Sequence, residues 1–205
     1  MSIWFIISLF GFNAILIPYF LSLEHQKLEE KYGKEKGKRI GEIFGLISGW
    51  GFFLFWFGMW LSPQERFVFP ILQEFSIRIS QLDLTIYLVN FLIFIPLFVV
   101  GAWFGIKGVI KSTLNVAETH RAEKVVSEGV YSIVRHPQYL GGILAHVGFS
   151  FLLSALYSLI VTPIVILSVY FISWKEEKEL IKEFGKEYED YKKIVPMLNP
   201  KIFQD

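Results

Sequence analysis

Two short groups of ionisable residues bracket one long apolar stretch, and they are the part of the chain best equipped for chemistry. The first is Arg135-His136-Pro137-Gln138-Tyr139, and the second is Glu176-Glu177, directly after Lys175. Proline fits the first turn of a helix, where its missing N–H costs nothing, so a helix is predicted to begin at Pro137 with His136 as its N-cap. Arg135, His136 and the free N–H groups of that helix start then form an electropositive mouth, suited to a carboxylate or the edge of a nucleotide. Glu176 and Glu177 are consecutive, so on a helix they point about 100° apart and only one faces a given pocket well. One is expected to meet a ligand while the other pairs with a lysine or shapes the site. Tyr139 opens the same helix, and Gly142 and His146 follow on its face, which places His146 at membrane depth. A histidine there is either a functional group or a satisfied core residue, and the sequence leaves both readings open.

The elements that must hold these groups are read from the apolar runs. Residues 1–23, 43–61 and 85–106 contain no Asp, Glu, Lys or Arg. Each run approaches the roughly 20 residues needed to cross a hydrocarbon core. A fourth charge-free run, 139–173, would be about 50 Å long as one helix, too long for a single span but suited to two short ones. Its turn is predicted around Ser154-Ala-Leu-Tyr-Ser158. The expected fold is therefore all-α and integral to a membrane, with about five transmembrane helices, a C-terminal helical hairpin and a cytoplasmic C-terminal helix. It forms one membrane-embedded domain over 1–205, its catalytic core at about 116–200.

Charge sets the predicted orientation. Six Lys and Arg lie between the first two spans (27, 31, 34, 36, 38, 39), five before the fourth run (107, 111, 121, 124, 135) and seven in the tail, leaving only Arg66 and Arg78 elsewhere. The basic loops are expected to face the cytoplasm and the N-terminus the outside, so the His-Pro segment and the Glu pair share the cytoplasmic side. No basic patch reads as a nucleic-acid site, and the net charge of +1 adds nothing to that asymmetry. The absence of cysteine excludes disulfides, thiolate metal sites and a Cys nucleophile. Residues 1–23 lack the basic start and small-residue cleavage site of a signal peptide and are read as a retained span.

The remaining loops carry less. Residues 24–39 mix both charge signs and read as a solvated helical extension. Residues 66–80 alternate apolar and polar positions and suit an interfacial segment on the outer face. Gly33, Gly37, Gly41, Gly45 and Gly49 recur every four residues. Such a stripe permits close helix approach, with packing inside one chain expected ahead of a homodimer seam, so monomer or homodimer stays undecided.

From Val125 onward the chain resembles the shared core of the isoprenylcysteine carboxyl methyltransferase and phospholipid methyltransferase superfamily of integral membrane enzymes. The blocks that carry the likeness are Val125-Val126, Gly129-Val-Tyr131, Arg135-His136-Pro137-Gln-Tyr139-Leu-Gly141, Glu176-Glu177-Lys-Glu-Leu180, Phe184-Gly185 to Tyr191, and Val195-Pro196, in the superfamily's order and spacing. The resemblance implies S-adenosylmethionine as methyl donor. It also implies cofactor contacts from Val125, Val126, Tyr131, His136, Pro137, Gln138, Tyr139 and Glu176, without a metal. Arg135, Glu177 and His146 are the residues expected to act on the acceptor or its proton. The implied partners are a lipophilic small molecule or lipid acceptor and the surrounding membrane lipids.

One position departs from the prenylcysteine branch, where an arginine four residues before the first Glu is expected to face the acceptor carboxylate. Here it is Ile172. That weakens a carboxylate acceptor and keeps phospholipid amines and small thiols open, the latter also suggested by Val195-Pro-Met-Leu198. A transporter would need an inverted repeat, and none is evident. A non-catalytic scaffold would have no need to keep Arg135, His136, Tyr139 and Glu176 together.

Overall fold

The computed structural model describes residues 1–82, 84–112 and 124–201. Arg121, counted above among the basic residues, and the start of the expected core at 116–123 lie outside them. Ser2 begins the first helix by accepting the Phe5 N–H at 3.3 Å. Helix α1 (Ile3–Ala14) and α2 (Leu16–Leu23) share one apolar run, interrupted at Ile15. The interruption follows from Pro18, which has no N–H to give to the carbonyl of Ala14. After α3 (His25–Tyr32), Gly33 at φ +82° turns the chain back into the 28-residue α4 (Lys34–Leu61). Within the glycine stripe, Gly37 and Gly41 serve packing inside the chain. A Cβ on Gly37 would collide with the backbone of Leu28, and one on Gly41 would sit 3.5 Å from His25 and Leu28.

Residues 76–87 correct the all-α expectation. Strands β1 (Ser76–Ile79) and β2 (Leu84–Tyr87) pair antiparallel, with Ser76 opposite Tyr87 and Ile79 opposite Leu84. The two-residue period of Ile77 and Ile79 favours an extended chain. The third span accordingly starts at Leu88 instead of Thr85 and runs as α5 (Leu88–Ser112).

Beyond 124 come α6 (Pro137–Leu152), the short α7 (Leu156–Ile160), α8 (Thr162–Phe184) and α9 (Lys186–Ile194). Proline at the first turn of α6 and His136 at its N-cap follow the sequence expectation. Among the described residues three helical stretches, Ile3–Leu23, Lys34–Leu61 and Leu88–Ser112, are long and apolar enough to cross a membrane. Helix α6 has only 16 residues, and α8 loses its apolar character at Lys175, which is why neither stands beside them.

Close packing fixes these helices. The most extensive helix interface is between α5 and α6, where a Cβ on Gly141 would lie 2.5 Å from the Gly101 carbonyl oxygen. Phe5, Phe12, Trp56, Met59, Trp60 and Val165 form a core joining α1, α4 and α8. A second cluster of Tyr19, Leu23 and Ile172, with Leu16, Phe52 and Tyr139 against it, joins α2 to α8. The C-terminal segment is fastened to the start of α6, since the N–H groups of Arg135 and His136 donate to Pro196 O at 2.9 Å and Met197 O at 3.2 Å.

Candidate functional site

A cavity of about 440 Å³ lies where α2, α3, the middle of α4, the start of α6 and the charged half of α8 converge. That volume suits a small-molecule site. Segments far apart in sequence supply its walls. Val125, Val126, Tyr131, Arg135, His136, Pro137, Gln138, Tyr139 and Glu176 all border it.

The charged floor is built around two consecutive carboxylates that face different ways. Glu177 is fully buried. It accepts from Arg135 Nε at 2.7 Å, lies 3.2 Å from His136 Nε2 and holds the Lys192 ammonium at 2.9 Å. Arg135 also donates to the carbonyls of Lys192, at 3.0 Å, and Val195. Burial pushes the Glu177 carboxyl upward, but the hydrogen bonds from His136, Arg135 and Lys192 outweigh it and hold it at about 2.

Glu176 turns instead to the cavity, its side chain 19% exposed. Tyr139 donates its hydroxyl to Oε1 at 2.6 Å, Tyr19 donates to the same oxygen, and His136 Nδ1 lies 3.4 Å from Oε2. The two phenol oxygens are 2.6 Å apart. His136 thus stands between both carboxylates. Burial opposes its charge, yet hydrogen bonds to Glu176 and Glu177 raise its pKa above the ordinary imidazole value, which favours the doubly donating imidazolium form. Glu176 remains below the usual carboxylate range, because His136 and the two phenols outweigh its burial.

Neighbouring polar contacts fix the rest of this wall. Gln138 donates to Ser112 Oγ at 2.9 Å, and the Tyr131 backbone carbonyl accepts the Tyr191 hydroxyl at 2.6 Å. Apolar side chains complete the lining, among them Ile15, Leu16, Phe52, Phe53 and Ile172, the last one turn before Glu176 on α8. Ile172 is 2% exposed and packs on Tyr19 and Leu23.

Of the residues expected to act on the acceptor, Arg135 reaches the cavity with its guanidinium already engaged, and Glu177 sits behind it. His146 is not brought to the site. It is fully buried in α6, accepts the Trp56 indole N–H on Nδ1 at 2.8 Å and donates from Nε2 to Ser158 O at 3.0 Å, so both ring nitrogens have protein partners. The main omission of sequence reasoning is Tyr19. Its only signal was a hydroxyl one turn from the end of an apolar run. His25, Gln26 and Glu29 of α3 also line the cavity, although their mixed charge suggested a solvated extension.

A model of the phospholipid methyltransferase family matches residues 85–187, half of the chain. The methanethiol S-methyltransferase 2 of Bradyrhizobium diazoefficiens is 40% identical over 76 residues, 36% of this chain and 28% of the relative. The protein-S-isoprenylcysteine O-methyltransferase of Schizosaccharomyces pombe is 32% identical over 94 residues, 44% of this chain and 39% of the relative. The protein-S-isoprenylcysteine O-methyltransferase B of Arabidopsis thaliana is 35% identical over 89 residues, 42% and 45% respectively. Each match therefore spans less than half of the relative's own length.

Proposed function

This chain belongs to the phospholipid methyltransferase family, and we propose that it moves the methyl group of S-adenosylmethionine to a lipophilic acceptor at the membrane. The observation that carries the reading is the Glu176 carboxylate on the cavity wall, anchored on one side by Tyr19, Tyr139 and His136 and open on the other. Its chemistry suits the donor, which offers a cationic amino group for Glu176, a carboxylate for the start of α6, and ribose and adenine for Tyr131, Gln138 and the backbone at Val125 and Val126. Pro137 and Tyr139 shape the same wall. Bound there, the donor supplies a sulfonium-activated methyl group open to in-line displacement, so positioning of the acceptor provides much of the catalysis.

The Arg135–Glu177–Lys192 group holds the end of α8 against the start of α6. His136 joins it to Glu176, which makes Arg135 and Glu177 a support for the donor site. His146 belongs to the core in this reading.

The apolar wall favours a neutral nucleophile over a free carboxylate. Where a carboxylate would need a guanidinium, Ile172 is packed among Tyr19, Leu23 and Phe52, and the nearby Lys175 is occupied by Glu24 at 2.9 Å and Glu179 at 3.3 Å. Thiol and amine acceptors therefore rank ahead of a prenylcysteine carboxylate. The cavity is bordered by residues of all the basic segments, which under the positive-inside rule supports a cytoplasmic site with the N-terminus outside.

Transfer of labelled methyl groups from S-adenosylmethionine by the protein in lipid vesicles tests this. An alkyl thiol, phosphatidylethanolamine and a prenylcysteine would be offered at equal concentration. Faster transfer to the thiol or the amine is expected; preference for the prenylcysteine carboxylate would contradict the acceptor assignment.

A further inference from the structure

We propose that Tyr19 is a positioning residue for the methyl donor, contributed by the N-terminal helices and acting through Glu176. The proposal rests on the donor reading above. Tyr19 lies outside the family-matched stretch of 85–187, and nothing in the relatives' names gives it a role.

A carboxylate offers about four lone-pair positions. In Glu176 the two phenols, Tyr19 and Tyr139, take the pair on Oε1, and His136 lies beside Oε2. One position remains, on the oxygen beside the His136 ring, and the side chain's partial exposure is toward the cavity. The phenols therefore set the plane of the carboxylate and direct its last acceptor site to where a cationic amino group would bind. With Tyr139 alone on Oε1 and His136 beside Oε2 the carboxylate is less firmly held and can take a water in place of the lost phenol. Preorganisation is then lost although the charge remains.

The location of Tyr19 strengthens the case. It is carried by α2, eight residues between the break at Ile15 and the turn at Glu24, and Leu16 and Leu23 of the same helix line the apolar wall. Its ring packs with Leu23 and Ile172, so its hydroxyl can be removed while that contact is kept. A single side chain thus joins the acceptor-side wall to the donor carboxylate.

The test is a double-mutant cycle on the full chain in detergent, with S-adenosylmethionine affinity read by calorimetry for wild type, Tyr19→Phe, Glu176→Gln and the double variant. Tyr19→Phe is expected to weaken the donor about tenfold, the scale of a hydrogen bond to a charged group. Added to Glu176→Gln, it should change affinity by less than about twofold, since its partner is already altered. A structural tyrosine would give equal effects in both backgrounds. Melting temperatures verify folding, and Tyr19→Met replaces Tyr19→Phe if the latter does not fold. Normal affinity of Tyr19→Phe beside a binding wild type overturns the role of Tyr19 alone. Absence of wild-type binding overturns the donor reading and the role of Tyr19 with it.

Discussion

Arg135 donates from Nε to Oε1 of Glu177 at 2.7 Å, joining the residue before the α6 N-cap to the charged half of α8. Both side chains are almost wholly buried, at 7% and 1% exposure, so neither can lose its partner cheaply. The pair explains why two adjacent glutamates have separate duties. Glu177 closes the protein's own structure, which leaves Glu176 to face the cavity.

Arg135→Ala is expected to destabilise the protein by about 3–5 kcal/mol, because it takes the closely bonded guanidinium from a buried carboxylate and leaves it only His136 at 3.2 Å and the partly exposed Lys192. At roughly 2–4 °C per kcal/mol the melting temperature should fall by more than about 6 °C. The double replacement Arg135→Met with Glu177→Leu should recover much of that loss. A loss no smaller in the double variant would show that the pair is not the source.

The same group predicts a defined pH dependence of stability. Glu177 is held at about 2 in the folded state, below the carboxylate reference of 4.5, so its contribution is present above 4.5 and lost as pH falls toward 2. His136 is raised above its reference of 6.5, so its contribution is present below 6.5 and lost as pH rises through the raised value. The melting temperature should therefore be highest between about pH 5 and 6.5. Its decline on the alkaline side should be absent in His136→Gln. An unchanged alkaline limb in that variant would refute the imidazolium assignment.

His146→Ala should cost about 1–3 kcal/mol, since it leaves the Trp56 indole N–H and the Ser158 carbonyl without their buried partner. Donor affinity of the folded fraction should stay at the wild-type level, measured by calorimetry alongside a thermal melt. A large fall in affinity without a change in melting temperature would return His146 to the site.

The features legible in sequence were those set by local chemistry. Pro137 and the apolar run after it place the start of α6, and consecutive spacing alone separates Glu176 from Glu177. The features that were not legible depend on long-range contact. Tyr19 gains its meaning from Tyr139 and Glu176, more than a hundred residues away, and looks in sequence like one more aromatic in a span. His146 could not be assigned before Trp56 and Ser158 were seen to occupy both its nitrogens. Strand β1 was hidden because an alternating pattern suits a membrane-surface segment as well as an extended chain, and β2 because its residues continue into the apolar run of the third span. Residues 24–32 looked solvated by composition, yet the glycine at 37 lets α3 lie against α4 and brings His25, Gln26 and Glu29 to the cavity.

The central claim, that the Glu176 cavity is the methyl-donor site, is tested most directly by calorimetry of S-adenosylmethionine on the purified protein and on Glu176→Gln. The account predicts saturable binding to wild type, weakened at least about tenfold by the substitution, since one hydrogen bond to a charged group is worth about that much. Equal affinity for both proteins, or no binding by a well-folded wild type in detergent and in lipid, would contradict it.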